Sequence, residues 1–258
     1  MRKRRRLEKT GIWDKGKAQA EDWLPEITAA GQAATGTLVR LSLTCDGPYL
    51  SRDPWKTGQD RSERNVIQLA RTGNAPELLP TSIAGALRQR AAWLWWQDNP
   101  NAEVADDRDT PLRTRWLQER RKGGPNAPET ERHMVGGLRP VERLFGVPGW
   151  RGLVRVRAVE HLGAEGEIEL ASVALDRFSM APVQGALFSI RASLKPRFAV
   201  TLEVEERVLE IEERLSFPND GDKDLLNRLW TDLTTEGERL LLGFGTSKGF
   251  GWFAVEKL

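Results

Sequence analysis

The sequence predicts an α+β fold, and three observations carry that prediction. Residues 37–44 and 198–208 alternate apolar and polar side chains with the period of a half-buried strand. Ile83, Ala86, Leu87, Ala91 and Leu94, and later Leu225, Leu226, Leu229, Trp230 and Leu233, recur at helical spacing. Strands and helices are interleaved along the chain, not segregated into blocks.

In order, residues 1–35 form a basic N-terminal arm, Arg2 to Arg6 followed by small residues and glycines, expected to be partly disordered. The arm reads as a solvated tail or as an electrostatic hook for nucleic-acid phosphates. Residues 36–258 are expected to make one domain. Its first strand, 37–44, is stopped by Asp46-Gly47-Pro48. A polar loop over 51–65 follows, holding Asp53, Asp60 and Glu63 among Arg52, Lys56, Arg61 and Arg64. Carboxylates beside cations suit a general base near a phosphodiester, and they also describe any solvated loop. A short strand over 66–69 and a turn over 72–76 lead to a helix with Thr81 or Ser82 as its N-cap, ending near Trp95-Trp96. Gly85 inside its first turns costs about 1 kcal/mol against alanine, which points to close approach by another backbone or a ligand. The N–H groups at this helix start favour anions, and Arg88 and Arg90 lie nearby.

Residues 97–135 are polar and broken by prolines, and read as an insertion carrying a short helix over 112–121. Leu144-Phe145 before Gly146 is expected to be a buried anchor ending another short helix. Residues 153–159 make a strand with one apolar and one basic face, whose arginines would meet phosphates or water. Residues 163–192 form a hairpin-like excursion with Arg177, Phe178 and Met180 near its middle. A strand over 198–208, a helix over 223–233 and a last strand from Trp252 complete the order. The alternation is compatible with a βαββαβ ferredoxin-like sheet with embellishments.

Between the last helix and strand lies Gly243-Phe244-Gly245-Thr246-Ser247-Lys248-Gly249-Phe250-Gly251. Four glycines, two hydroxyls and a lysine can make a nest of N–H groups for phosphate, or simply a tight turn. The spacing is not that of a nucleotide P-loop, because no GK[ST] follows a GxxxxG spacing.

Bulk properties exclude more than they assign. The 39 basic side chains nearly balance the 37 acidic ones, so distribution, not net charge, must decide any nucleic-acid role. Cys45 is the only cysteine, which removes an intrachain disulfide and any multi-cysteine zinc site. No run of about 18 apolar residues is present and no apolar segment follows the basic start, so a soluble, cytoplasmic chain is expected. Ten tryptophans stand against one tyrosine, enough for core, base stacking and partner contacts together.

Four segments, in order, resemble the RAMP superfamily. They are LPTSIAGALRQRA at Leu79–Ala91, similar to that family's IPGSSLKGALR, then RLFG at Arg143–Gly146, VALDRFSMAPVQGALF at Val173–Phe188, and the GFGTSKGFG turn. The resemblance covers residues 36–258, and the third segment is similar to backbone subunits of type III CRISPR effectors, the Csm and Cmr class. It implies a modified ferredoxin-like, RRM-like core with insertions and a thumb-like β-hairpin. It also implies binding of CRISPR guide RNA, positioning of complementary target RNA, and assembly with other effector subunits. Carried over by position, Thr81, Ser82, Gly85, Arg88 and Arg90, with Gly245, Thr246, Ser247, Lys248 and Gly249, would grip guide phosphates. Arg177 and the wedge residues Phe178 or Met180 would form the thumb. In slicing members an aspartate in the loop before the IPGSS segment cleaves target RNA with a divalent metal such as Mg2+. By position Glu63 stands nearest to it, Asp60 lies just before, and Asp53 is a third candidate; glutamate displaces the carboxylate by about one C–C bond. The resemblance equally fits a terminal cap of the complex. Guide-trimming relatives use histidine or lysine, but His133 and His161 read as surface residues.

Overall fold

Strand β1 (Thr37–Cys45) is built by a clean alternation: Val39, Leu41, Leu43 and Cys45 are buried, while Leu38, Arg40 and Thr44 face outward. A computed structural model describes residues 36–52, 66–100, 111–122, 131–210 and 214–258. After β1 come four short strands, β2 (Pro48–Tyr49), β3 (Val66–Ile67), β4 (Arg71–Thr72) and β5 (Ala75–Pro76). Helix α1 (Pro80–Asp98) follows, then α2 (Leu112–Lys122), a 3-10 turn at Glu131–Val135 and α3 (Pro140–Phe145). The long strands are β6 (Val154–Gly163), β7 (Gly166–Leu175), β8 (Pro182–Leu194) and β9 (Arg197–Val204). A small hairpin, β10 (Arg207–Glu210) and β11 (Arg214–Phe217), precedes α4 (Asp220–Leu233). The short β12 (Leu240–Leu241), a 3-10 turn at Thr246–Lys248 and β13 (Trp252–Lys257) close the chain. Thr37–Leu258 cluster as one compact unit.

The main sheet has the order β12-β13-β1-β9-β6, every pair antiparallel. Without β12 this is the 4-1-3-2 order of a βαββαβ ferredoxin-like sheet, with α1 and α4 as its two helices. β1 is central, with Leu41 opposite Val200 on one side and Lys257 on the other. The buried side of the sheet meets Ile83, Leu87, Ala91 and Leu94 of α1, and Leu225, Leu226, Leu229 and Leu233 of α4, in one core. No described helix is long and apolar enough to cross a membrane.

Both helices start earlier than the sequence pattern implies. α1 begins at Pro80 with Leu79 as its N-cap and no side-chain cap, so neither Thr81 nor Ser82 caps it. Proline at the first helical position has a suitable φ and loses no needed N–H. α4 begins at Asp220 because Asn219 and Asp222 form a reciprocal capping box (3.0 and 3.1 Å). The strand expected to run to Val208 instead ends at Val204, and β10 begins after Glu205-Glu206.

The arginines of β6 are paired with carboxylates of their own chain, although Arg157 stays partly open to solvent. Arg155 contacts Glu203 and Glu205, Arg157 contacts Glu203, and Arg151 and Arg207 close on Glu205. Both glutamates are buried. Burial pushes the Glu205 carboxyl up, but the hydrogen bond and charge of Arg207, with Arg155 and Arg151, outweigh it and hold it below its ordinary range. His133 and His161, expected at the surface, are half-buried with their Nε2 atoms out of solvent.

RLFG forms α3 and its stop. Leu144 is fully buried and Phe145 half-buried. Gly146, at φ 92°, packs so closely on Gly152 that a Cβ on Gly152 would stand 2.5 Å from the Phe145 carbonyl carbon. Arg143 within the motif is itself buried, its Nε donating to Asp222 at 2.9 Å. The pair ties α3 to the first turn of α4. Removing one partner of a buried pair strands the other charge, at about 3–5 kcal/mol. Asp222→Ala is therefore expected to lower unfolding free energy by about that much, measured by urea denaturation.

Candidate nucleic-acid interface

A second, smaller apolar cluster organises the end of the molecule where β1 leaves the main sheet. Leu50, Leu69, Ile190, Ala192 and Phe250 are buried together, with Ile67, Ile168, Leu170 and Phe188 packed against them. These residues come from four distant pieces of chain. β7 and β8 supply a long hairpin, paired from Gly166 with Leu194 out to Leu175 with Pro182. β2 pairs antiparallel with the base of β8, and β3 runs parallel to it at Ser189 and Ile190. Phe250 arrives from the glycine turn.

The hairpin leaves this cluster and becomes exposed toward its tip. The register breaks between Val173 and Leu175, opposite Gly185 at φ 76°. Beyond the bulge the chain turns on Asp176, whose Oδ1 accepts from the Phe178 and Ser179 N–H groups (3.0 and 2.7 Å) and from the Ser179 hydroxyl (2.9 Å). These hydrogen bonds, Ser179 first, lower the Asp176 pKa. Met180 sits at φ 54°, in the left-handed region. The turn leaves Phe178 93% exposed and Met180 68%, with Arg177 exposed beside them. The tip therefore presents two apolar side chains to solvent on a turn held by its own hydrogen bonds.

The glycine turn is locked to the same end. Gly243, Gly245, Gly249 and Gly251 all have φ between 65° and 87°. A Cβ on Gly251 would collide with the Leu242 carbonyl oxygen, and one on Gly243 would stand 2.5 Å from the Leu50 oxygen and 2.9 Å from the Tyr49 ring. Phe244 N–H donates to Leu50 (2.7 Å) and Gly251 N–H to Pro48 (2.8 Å). Inside the turn, Lys248 and Phe250 N–H both donate to Gly245 (2.8 and 3.2 Å), and Gly249 to Thr246. Among the described residues the Thr246 and Ser247 N–H groups take no part in these backbone bonds, and Ser247 and Lys248 are exposed. Of the N–H groups over Gly243–Gly249 expected to form an anion nest, those of Phe244, Lys248 and Gly249 are therefore already bonded to carbonyls of the chain. Lys248 Nζ lies 5.8 Å from the Phe188 ring centre, which joins turn to hairpin.

Sequence reasoning missed the residue that joins α1 to this turn. Tyr49, the only tyrosine, is buried and donates its hydroxyl to the Glu77 carbonyl (2.8 Å), three residues before α1. The same ring fills the space left by Gly243. A lone tyrosine just after the Asp46-Gly47-Pro48 stop was the available signal.

Of the predicted α1 residues, Thr81, Ser82 and Gly85 are exposed on its first turns. Among the described residues, no atom from beyond its own stretch of helix comes within 4 Å of the Cβ position of Gly85. The two arginines have protein partners. Arg88 donates to the Gly146 carbonyl, and Arg90 makes a two-point contact with Asp232 (2.6 and 3.0 Å) and another with Glu238. They tie α1 to the end of α3, to α4 and to the segment before β12. Asp53, Asp60 and Glu63 lie outside the described residues, as do residues 1–35. Among the described residues no three His, Cys, Asp or Glu side chains group to hold a metal ion.

The profile of the RAMP superfamily matches residues 47–254, from the Asp46-Gly47-Pro48 corner through the glycine turn into β13. The chain belongs to the RAMP superfamily. Among solved structures, a chain titled "Type IV-B CRISPR Complex" matches with a TM-score of 0.53 and 15% identity, over 86% of this chain and 90% of that one. The likeness establishes the shared ferredoxin-like fold. No curated protein matches the sequence.

Two glycines in this RAMP turn separate backbone need from mere permission. Gly249, at φ 83°, has open space at its Cβ position, so Gly249→Ala costs only the left-handed penalty of about 1–2 kcal/mol. Gly251→Ala adds the collision with Leu242 and is expected to unfold at clearly lower urea than Gly249→Ala.

Proposed function

We propose that this RAMP protein is a guide-RNA-binding subunit of a CRISPR ribonucleoprotein effector. The observation that carries the reading is a juxtaposition. The small apolar cluster fixes the base of a projecting, apolar-tipped hairpin beside a glycine turn presenting N–H groups and a lysine. The turn would bind backbone phosphates, which every nucleotide carries. The tip would insert Phe178 or Met180 between bases, which demands an apolar group tolerant of any sequence. Thr81, Ser82 and the exposed backbone at Gly85 would add phosphate contacts from α1, and Arg177 one from the tip. Arg88 and Arg90 would hold α1 in place and leave the phosphates to others. Soluble partners in this reading are guide RNA, target RNA and further effector subunits.

The third segment, Val173–Phe188, favours the type III backbone class, while a solved structure with this fold comes from a type IV-B complex. Both are CRISPR assemblies, and the proposed role is that of a subunit in such an assembly. The native mass of the assembled complex would separate a repeated backbone unit from a single terminal cap.

The reading requires salt-dependent, largely sequence-independent binding of single-stranded RNA. Lys248→Ala is expected to weaken it and to reduce the slope of log affinity against log salt by about 0.7, one phosphate's worth. Assembled complex that carries no RNA after native extraction and a high-salt wash would overturn the proposal.

A second reading, target-RNA cleavage, is favoured by where the 53–65 loop is anchored. Arg52 bridges to Leu69, Ala70 donates to Ser51 (2.6 Å), and β3 lies on β8, so both loop ends sit at the hairpin base. Carboxylates on that loop, with Mg2+, would supply the general base and the Lewis acid. Single substitutions Asp53→Ala, Asp60→Ala and Glu63→Ala are expected to include one that abolishes cutting of guide-complementary RNA in magnesium. Full cutting by all three would remove the loop from the reaction.

A further inference from the structure

We propose that Trp252 is a base-stacking platform, placed to receive the base whose phosphate sits on the glycine turn. The inference rests on the RNA-binding reading above and extends it from the backbone of the nucleic acid to its bases.

Trp252 opens β13, directly after the turn. Along this strand Phe253 and Val255 point into the core, so Trp252 lies on the outer face of the sheet. There it keeps 44% of its surface exposed, which is a large apolar area to leave in water. Its cross-strand neighbour on β12 is Leu241, on the same face and 47% exposed. The indole is nevertheless held in orientation, because its Nε1–H donates to the Thr246 carbonyl at 2.9 Å. That bond attaches the ring to the residue heading the 3-10 turn, where the Thr246 and Ser247 N–H groups lie. An aromatic ring fixed to a phosphate-binding turn by its polar edge, with Leu241 beside it, is preorganised for a flat apolar ligand. A nucleobase fits that description, and stacking tolerates any base. The exposed Trp93, on α1, differs: it has the Arg90 guanidinium over its ring at 4.7 Å.

The test uses the full chain and two fluorescein-labelled oligonucleotides of equal length, a mixed-sequence single-stranded RNA and its abasic ribose-phosphate counterpart. Trp252→Ala is expected to bind the base-bearing RNA about tenfold more weakly and the abasic strand as wild type does, with an unchanged salt slope. Trp252→Phe keeps a ring and should recover most of the loss, whereas Trp252→Leu should not. Thermal unfolding of each variant shows that the fold persists, and the abasic strand reports on the turn independently. Equal weakening toward both strands would mean that Trp252 only supports the turn, and would overturn the proposal. Wild-type affinity of Trp252→Ala for RNA would do the same, and a change in self-association alone would assign the ring to a protein interface instead. If the wild-type chain bound neither strand, the RNA-binding reading itself would fall, which is a separate outcome.

Discussion

The backbone of the glycine turn passes Leu50 and Leu242 with no room for a Cβ, and the candidate site depends on that approach. Phe244 and Gly251 donate to the carbonyls of Leu50 and Pro48, so the turn is stitched to the segment that leaves β1. Phe250 is thereby delivered into the small cluster under the hairpin, and Tyr49 is clamped between Gly243 and the lead-in to α1. Any side chain at Gly251 would separate these parts. The turn is therefore the joint of the site as well as one of its surfaces.

Charge is distributed with the same economy. Arg90, Arg143, Arg155, Arg157 and Arg207 all face carboxylates of their own chain, several of them buried. Such pairs hold elements in register and make little field outside the protein. A near-neutral RAMP protein can still present phosphate contacts, because backbone N–H groups and a single lysine suffice locally. In the proposed reading, the apolar tip of the hairpin and the exposed indole of Trp252 would act on the other half of a nucleotide, its base.

Much of the fold is legible in the residues. The alternation of β1, the helical stripes of α1 and α4 and the RLFG stop fall where period and punctuation place them. So does the glycine-rich turn. The errors have physical causes. Caps were assigned to hydroxyls near α1, but proline starts that helix from an uncapped leucine. Arg155 and Arg157 alternate as an exposed basic face would, yet their partners, Glu203 and Glu205, lie on and just after a strand that joins β6 only by long-range pairing.

By itself, then, the sequence determined the ferredoxin-like order of elements, the family and the two motifs of the candidate site, because period, turn chemistry and motif order are local properties. The tertiary structure alone decided which cations stay available, since that depends on carboxylates about 50 to 150 residues away, such as Asp232 for Arg90. It also decided that hairpin, turn and α1 lead-in converge. Phe250, Phe188 and Leu50 meet only once the antiparallel sheet has brought the two ends of the chain side by side.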